Sequence, residues 1–288
     1  MSISDRINEW IRELIIGLIE GNLTNMFGDV NDKVGTIAVE VGKSPSDWNN
    51  TIFSMIRNLS ENVIVPIAGI IITFVLCYEL INMLIERNTM HDIDTWMFFK
   101  YFFKMWVAVF IVTHTFDITM AVFDLAQNVI SNSAGSISGD TAINIETALE
   151  SMRLGMEEMS IPDLILMMLQ TSIVQFAMKI MSVLITVILF GRMIEIFIYC
   201  SISPIPFATM TNREWGGMGT NYLKGLFAVA FQGFFIMVCV GVYAVLVNEM
   251  VLSDDPNMAL LSIVAYTVLL CYSLFKTGSL SRSIFGSH

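Results

Sequence analysis

The sequence predicts an all-α, polytopic membrane protein with five transmembrane helices, or six if its longest apolar run crosses twice, and an amphipathic helix at the N-terminus. Three observations carry this. Hydrophobic residues make up 55% of the 288-residue chain and charged residues 14%, whereas a soluble domain carries about 25% charged residues. The mean hydropathy is +0.68. The apolar residues fall in runs long enough to cross a hydrocarbon core of about 30 Å, and in lipid such segments satisfy their backbone groups as helices.

Composition also excludes several functions. A net charge of −11 with no basic stripe argues against a general nucleic-acid-binding surface, which needs clustered Lys and Arg to neutralise phosphates. Cys77, Cys200, Cys239 and Cys271 lie in or at the edge of apolar runs without CxxC spacing, so neither a disulfide framework nor a zinc site is indicated. His91, His114 and His288 are too scattered for a metal cluster. No nucleophile–base pair is visible. The expectation is a non-enzymatic chain without metal or cofactor.

The region 1–61 opens with an amphipathic helix over 5–20. Ile7, Trp10, Ile11, Leu14, Ile15, Leu18 and Ile19 recur at steps of three and four, with Asp5, Arg6, Asn8, Glu9, Arg12, Glu13 and Glu20 opposite. Arg12 and Glu13 interrupt the run, so it is neither a signal peptide nor a span; it should lie on the membrane surface or against a partner. Gly21 is expected to close it. Short helices are expected over 32–41 and 46–59, the latter capped by Ser46.

The first crossing occupies the apolar stretch 62–85 and carries Glu79 in its second half; a charged link follows, and the second crossing runs over 102–125, ending near Asp117 and Asp124. The segment 126–160 reads as a long loop, flexible through SNSAGSISGD and helical over 141–159. From 161 to 201 no Gly or Pro turn interrupts the apolar run before Gly191, which predicts one long third helix. After a Pro/Gly-rich turn at 202–222, the segment 223–276 supplies the fourth and fifth crossings, leaving 277–288 as a tail.

Charge asymmetry orients these crossings. Basic residues gather in the 86–104 link (Arg87, Lys100, Lys104), the central link (Arg192, Arg213, Lys224) and the tail (Lys276, Arg282). The 126–160 loop holds Arg153 alone and the 248–257 link none. With basic links cytoplasmic, the N-terminus lies outside and the C-terminus inside the cytoplasmic membrane.

The stretch 192–232 carries the densest set of special residues. Pro204 and Pro206 fix φ and remove donors, so a helix should not run smoothly through 201–207. Gly216, Gly217 and Gly219 permit a tight or left-handed backbone beside Trp215, or a close helix approach. WGGMGTNYLKG is not a phosphate loop: no strand precedes it and its spacing fits neither GxxxxGK[ST] nor GxGxxG. Pro204, Pro206, Arg213, Trp215, Gly216, Gly217, Gly219, Asn221 and Lys224 form the candidate functional turn.

The candidate intramembrane polar residues are Glu79, Asp117, Lys179, Arg192, Glu195 and Gln232. A lysine at the bilayer centre costs about 2.5–3.5 kcal/mol or more. Lys179 therefore pairs, snorkels or lines water unless it sits at the outer interface; Glu79 is the partner to test. Arg192 and Glu195, three apart, are placed for a local ion pair or an interfacial anchor. Asp117 and Asp124 share a helix face, which suits a proton or cation path, but an outer interface position explains them more cheaply.

The segment YCSISPIPFATMTNREWGGMGTNYLKGLFAVAFQGFF, with Pro204, Pro206, Trp215, Gly219, Asn221, Tyr222, Lys224 and Gln232, together with the exported amphipathic N-terminus, five crossings and large outer loop, resembles the TrbL-type conjugal transfer proteins. That inner-membrane family includes the sixth VirB subunit of type IV secretion systems, and the likeness is to the short versions of Gram-positive conjugative elements. The resemblance implies a scaffold and translocation-path subunit of the channel that passes DNA and protein to a recipient. It would work beside ATPases, a coupling protein and extracytoplasmic channel proteins, as a homo-oligomer in the bilayer with DNA in transit. The contrasting reading is an ion or small-molecule transporter using Glu79, Asp117 and Lys179. Transporters usually show internal repeats or paired broken helices, and one broken region is visible here. A third reading, a membrane anchor docking an enzyme through the N-terminal helix, has less support.

Overall fold

The computed structural model describes residues 3–86, 95–137, 144–212, 214–251 and 256–287, and every regular element among them is helical. Five helical stretches are long and apolar enough to cross a membrane: Asn50–Ile85, Trp96–Thr113, Ile161–Ile202, Gly216–Met250 and Met258–Phe285. The protein is a multi-pass membrane protein.

The first helix, α1 (Ile3–Gly42), is continuous, so Gly21 does not close it. The reason is packing. Ile15, Ile16, Ile19, Leu23, Met26, Phe27, Val30, Ile37 and Val41 are all buried, and their stripe continues across the glycine. Each such side chain removed from water contributes about 1.5–3 kcal/mol, whereas one interior glycine costs about 1 kcal/mol. The stripe expected from periodicity is divided: Ile7, Trp10, Leu14 and Leu18 remain exposed.

Two short helices follow, α2 (Pro45–Trp48) and α3 (Asn50–Leu59). Ser44 caps the first and Asn49 the second, in place of the expected Ser46, because each accepts a backbone N–H at its helix start. A π-turn over Ser60–Ile64 joins α3 to α4 (Val65–Glu86). Pro66 has no N–H to give the preceding turn, and the wider i→i−5 bond from Val65 to Ser60 carries the helix past it.

The second apolar helix, α5 (Thr95–Thr113), begins and ends earlier than the expected 102–125. A one-residue interruption at His114 separates it from α6 (Thr115–Ile137). Here Thr113 and Thr115 bond back to carbonyls one turn earlier and His114 Nδ1 lies 3.0 Å from the Phe110 carbonyl, side-chain competition that disturbs helix interiors. α6 then extends through the first seven residues of SNSAGSISGD, and α7 (Ile145–Glu157), capped by Asn144, follows, so the described part of 126–160 is mainly helix. The expected long third crossing is a single helix, α8 (Ile161–Ile202). The one-turn α9 (Pro204–Thr209), α10 (Gly216–Val251) and α11 (Pro256–Phe285) complete the chain.

These helices build two compact units. The first comprises 1–42, 130–190 and 234–277. In it α1 packs on α7: Met152, Met156, Leu164 and Met167 join the buried stripe of α1, and Arg153 pairs with Glu20 at 3.4 Å. The second comprises 43–129, 191–233 and 278–288 and holds most of the candidate functional residues.

Candidate functional site

The site in the second unit is organised by α9. Proline at N1 suits a helix start, where its missing N–H is not needed, so Pro204 opens a new turn where α8 stops. Pro204, Pro206, Phe207, Ala208 and Thr209 are buried, and α9 packs against both α4 and α5. Ala208 sits with Ala68, Ile72, Leu76, Ala108 and Val112. The Pro-rich turn is thus a wedge in the α4/α5 hairpin rather than an open loop.

Asn212 joins this wedge to α10. Its Oδ1 accepts the backbone N–H groups of Glu214 (2.7 Å) and Trp215 (3.1 Å), satisfying donors ahead of the helix start. Its Nδ2 donates to Glu79 Oε2 at 3.2 Å. The other Glu79 oxygen takes an ion pair from Lys104. The intramembrane carboxylate is therefore matched by a cation from the next helix and an amide from the turn. Tyr78 donates to Glu214 at 2.9 Å, and Trp215 stacks on Tyr78 with centroids 6.4 Å apart and meets Phe74 in a tilted contact at 5.6 Å.

The central glycines work by space rather than by left-handed backbone. Gly216, Gly217 and Gly219 are helical, and Gly286 is the one described residue with positive φ. A Cβ on Gly219 would lie 2.1 Å from Met210 Cγ and 2.5 Å from the Pro206 carbonyl oxygen, so only glycine admits the approach of α9. Gly216 faces the Met210 carbonyl at 3.2 Å on the same test, while Gly217 faces open space. Gly225 accommodates Tyr199, whose own carbonyl accepts the Tyr222 hydroxyl at 2.6 Å.

A second polar group links α8, α10 and α11. Arg192 is buried and donates from Nη2 to the Ala230 carbonyl at 3.4 Å. Glu195 pairs with Arg282 of α11, and its charge also acts on Arg192 three residues earlier. The buried Ser281 donates to the Ala228 carbonyl. Gln232 is buried, and a Cβ on Gly278 would approach its Nε2 to 3.3 Å.

The other predicted residues are dispersed. Asp117 pairs with Arg57 at 3.3 Å, and Arg57 also lies 5.5 Å from the centroid of the Phe116 ring. Lys179 is exposed on α8 and makes no ion pair among the described residues; Glu79, its expected partner, is engaged by Lys104 and Asn212. Lys224 is exposed, Asn221 partly so. Arg213 lies outside the described residues. Sequence reasoning missed Lys104, Asn212, Glu214, Tyr78 and Arg282 as site residues. Asn212 had a legible signal, since Asn just ahead of an apolar helix is a cap; the others are recognised only by their distant partners.

Fold and site define a multi-pass helical membrane protein whose central polar turn is wedged between two of its own helices. The chain belongs to the TrbL/VirB6 plasmid conjugal transfer-like family, whose model matches residues 30–204, and it is thereby a membrane component of conjugal transfer. No curated protein and no solved structure matches the chain. The matched stretch ends at Pro204, so membership rests on the chain from α1 to the end of α8 and not on the segment from Trp215 to Gln232.

Proposed function

We propose that this protein is an inner-membrane scaffold and channel subunit of a type IV secretion system that transfers DNA and protein during conjugation. The observation that carries this reading beyond family membership is the saturation of Glu79. A transported cation or proton needs a carboxylate it can reach and leave, whereas both Glu79 oxygens are engaged by Lys104 and Asn212. Asp117 is paired through one oxygen with Arg57, which also holds Glu61. Such pairing suits fixed architecture and disfavours the ion or small-molecule transporter. In this reading the subunit has no enzymatic activity of its own and assembles as a homo-oligomer in a Gram-positive conjugative element. Its N-terminus faces outward toward extracytoplasmic channel proteins. The basic turn around Arg213 and Lys224 faces the ATPases, the coupling protein or DNA in transit.

The test is conjugation frequency from a donor lacking this gene, complemented by the intact chain or by Trp215→Ala, with membrane levels measured for both. Transfer should vanish without the gene, return with the intact chain, and fall at least tenfold with the variant at equal membrane level. Unchanged transfer without the gene would reject the secretion role and direct attention to ion flux through Glu79 and Lys179.

A further inference from the structure

A cavity of about 360 Å³ in the second unit, bordered on one side by Pro206 of α9, has the features of a binding site for a phosphate-bearing amphiphile. Its walls are Ile198, Tyr199 and Ile202 of α8, Met218, Asn221 and Tyr222 of α10, with Arg282 and Ser287 closing one side. That volume lies within the range of small-molecule sites, about 300–1,000 Å³, and suits a glycerophosphate headgroup but not a whole lipid. The charge at its rim is basic. Arg282 contributes a guanidinium that Glu195 only partly engages, since a guanidinium has five N–H donors. Lys224 is exposed, and its Nζ lies 4.0 Å from the place a Cβ would take on Gly286, beside Ser287.

An apolar surface continues from the cavity along α8. Ile194, Ile198 and Ile202 recur every four residues on α8 and are 56%, 59% and 45% exposed, leading away from the cavity as a continuous apolar row. Met218 is exposed on the opposite wall. A mainly apolar cavity that also presents Tyr199, Asn221 and Tyr222, a basic rim and an apolar row match the three parts of a phospholipid: glycerol backbone, phosphate and acyl chain. Basic pockets between membrane helices are known to take anionic headgroups. We infer that this cavity binds one anionic phospholipid, its phosphate between Arg282 and Lys224 and an acyl chain along Ile194, Ile198 and Ile202.

The experiment is native mass spectrometry and thermal unfolding of the purified full chain in neutral detergent. The additions are phosphatidylglycerol, phosphatidylcholine or inorganic phosphate. The expected result is one retained phosphatidylglycerol and a Tm increase of several degrees, with neither effect from phosphatidylcholine or inorganic phosphate. Lys224→Gln should weaken phosphatidylglycerol retention at least fivefold without altering the lipid-free Tm, and Lys224→Arg should restore it. Ile198→Asp, at an exposed position, should weaken retention as well. Equal retention of phosphatidylcholine, equal stabilisation by free phosphate, or undiminished retention in Lys224→Gln would each overturn the assignment.

Discussion

At Gly219 the whole approach of α9 to α10 depends on a missing methyl group. Gly219→Ala places a Cβ against a backbone carbonyl that cannot rotate away, so overpacking should cost on the order of 1–3 kcal/mol. Gly217→Ala two residues earlier meets nothing within 4 Å and should be neutral or stabilise by up to about 1 kcal/mol. Thermal unfolding of both variants in detergent separates these outcomes, and equal effects would contradict the close approach. The same scale governs the Glu79–Lys104 pair. Removing one partner leaves the other charge without its match, so Glu79→Gln should destabilise more than the double variant Glu79→Gln with Lys104→Met. A double-mutant cycle should return a coupling of about 0.5–3 kcal/mol; additivity would remove the pair from the account. Neither residue announces the other, because a charge in an apolar run indicates only that some partner or water is needed.

Whole elements show where local propensity yields to packing. Gly21 is a reasonable helix terminator by its intrinsic cost, yet α1 passes through it because Ile19, Leu23 and Met26 continue the buried stripe. If the helix is continuous, Gly21→Ala adds helix propensity at a site with open space and should stabilise the fold by about 0.5–1 kcal/mol. A thermal scan would read this as a rise in Tm, and a fall would restore the break. The sequence legibly predicts α8 as one helix, since 161–190 has no residue that ends helices beyond Pro162 in its first turn. The second crossing is less legible: the interruption at His114 comes from hydroxyl and imidazole bonds to carbonyls within the turn, and hydropathy averaging does not register them. The wedge of α9 was equally hidden. Two prolines announce a break, but only the cluster Ala68, Ala108 and Ala208 makes room to bury the turn that contains them.

Over the molecule as a whole, the basic links predict an outward N-terminus and an inward C-terminus. Single cysteines introduced at Asn8 and Ser287, with the four native cysteines replaced by alanine, test this in intact cells. An impermeant maleimide should label the first position and spare the second until the membrane is opened; the reverse pattern would invert the topology. Fold class, helical spans and charge bias were determined by the sequence itself, because hydropathy and net charge are sums over neighbouring residues that need no knowledge of distant contacts. The family was legible as well, although its match ends at Pro204, before most of the segment that carried the resemblance. Only the tertiary structure decided that Glu79 belongs to Lys104 and Asn212, that Glu195 belongs to Arg282, and that Gly216 and Gly219 serve close packing rather than a turn. The three pairings join side chains 25, 133 and 87 residues apart in the chain, and folding brings such partners to within a few ångströms by packing that no local pattern encodes.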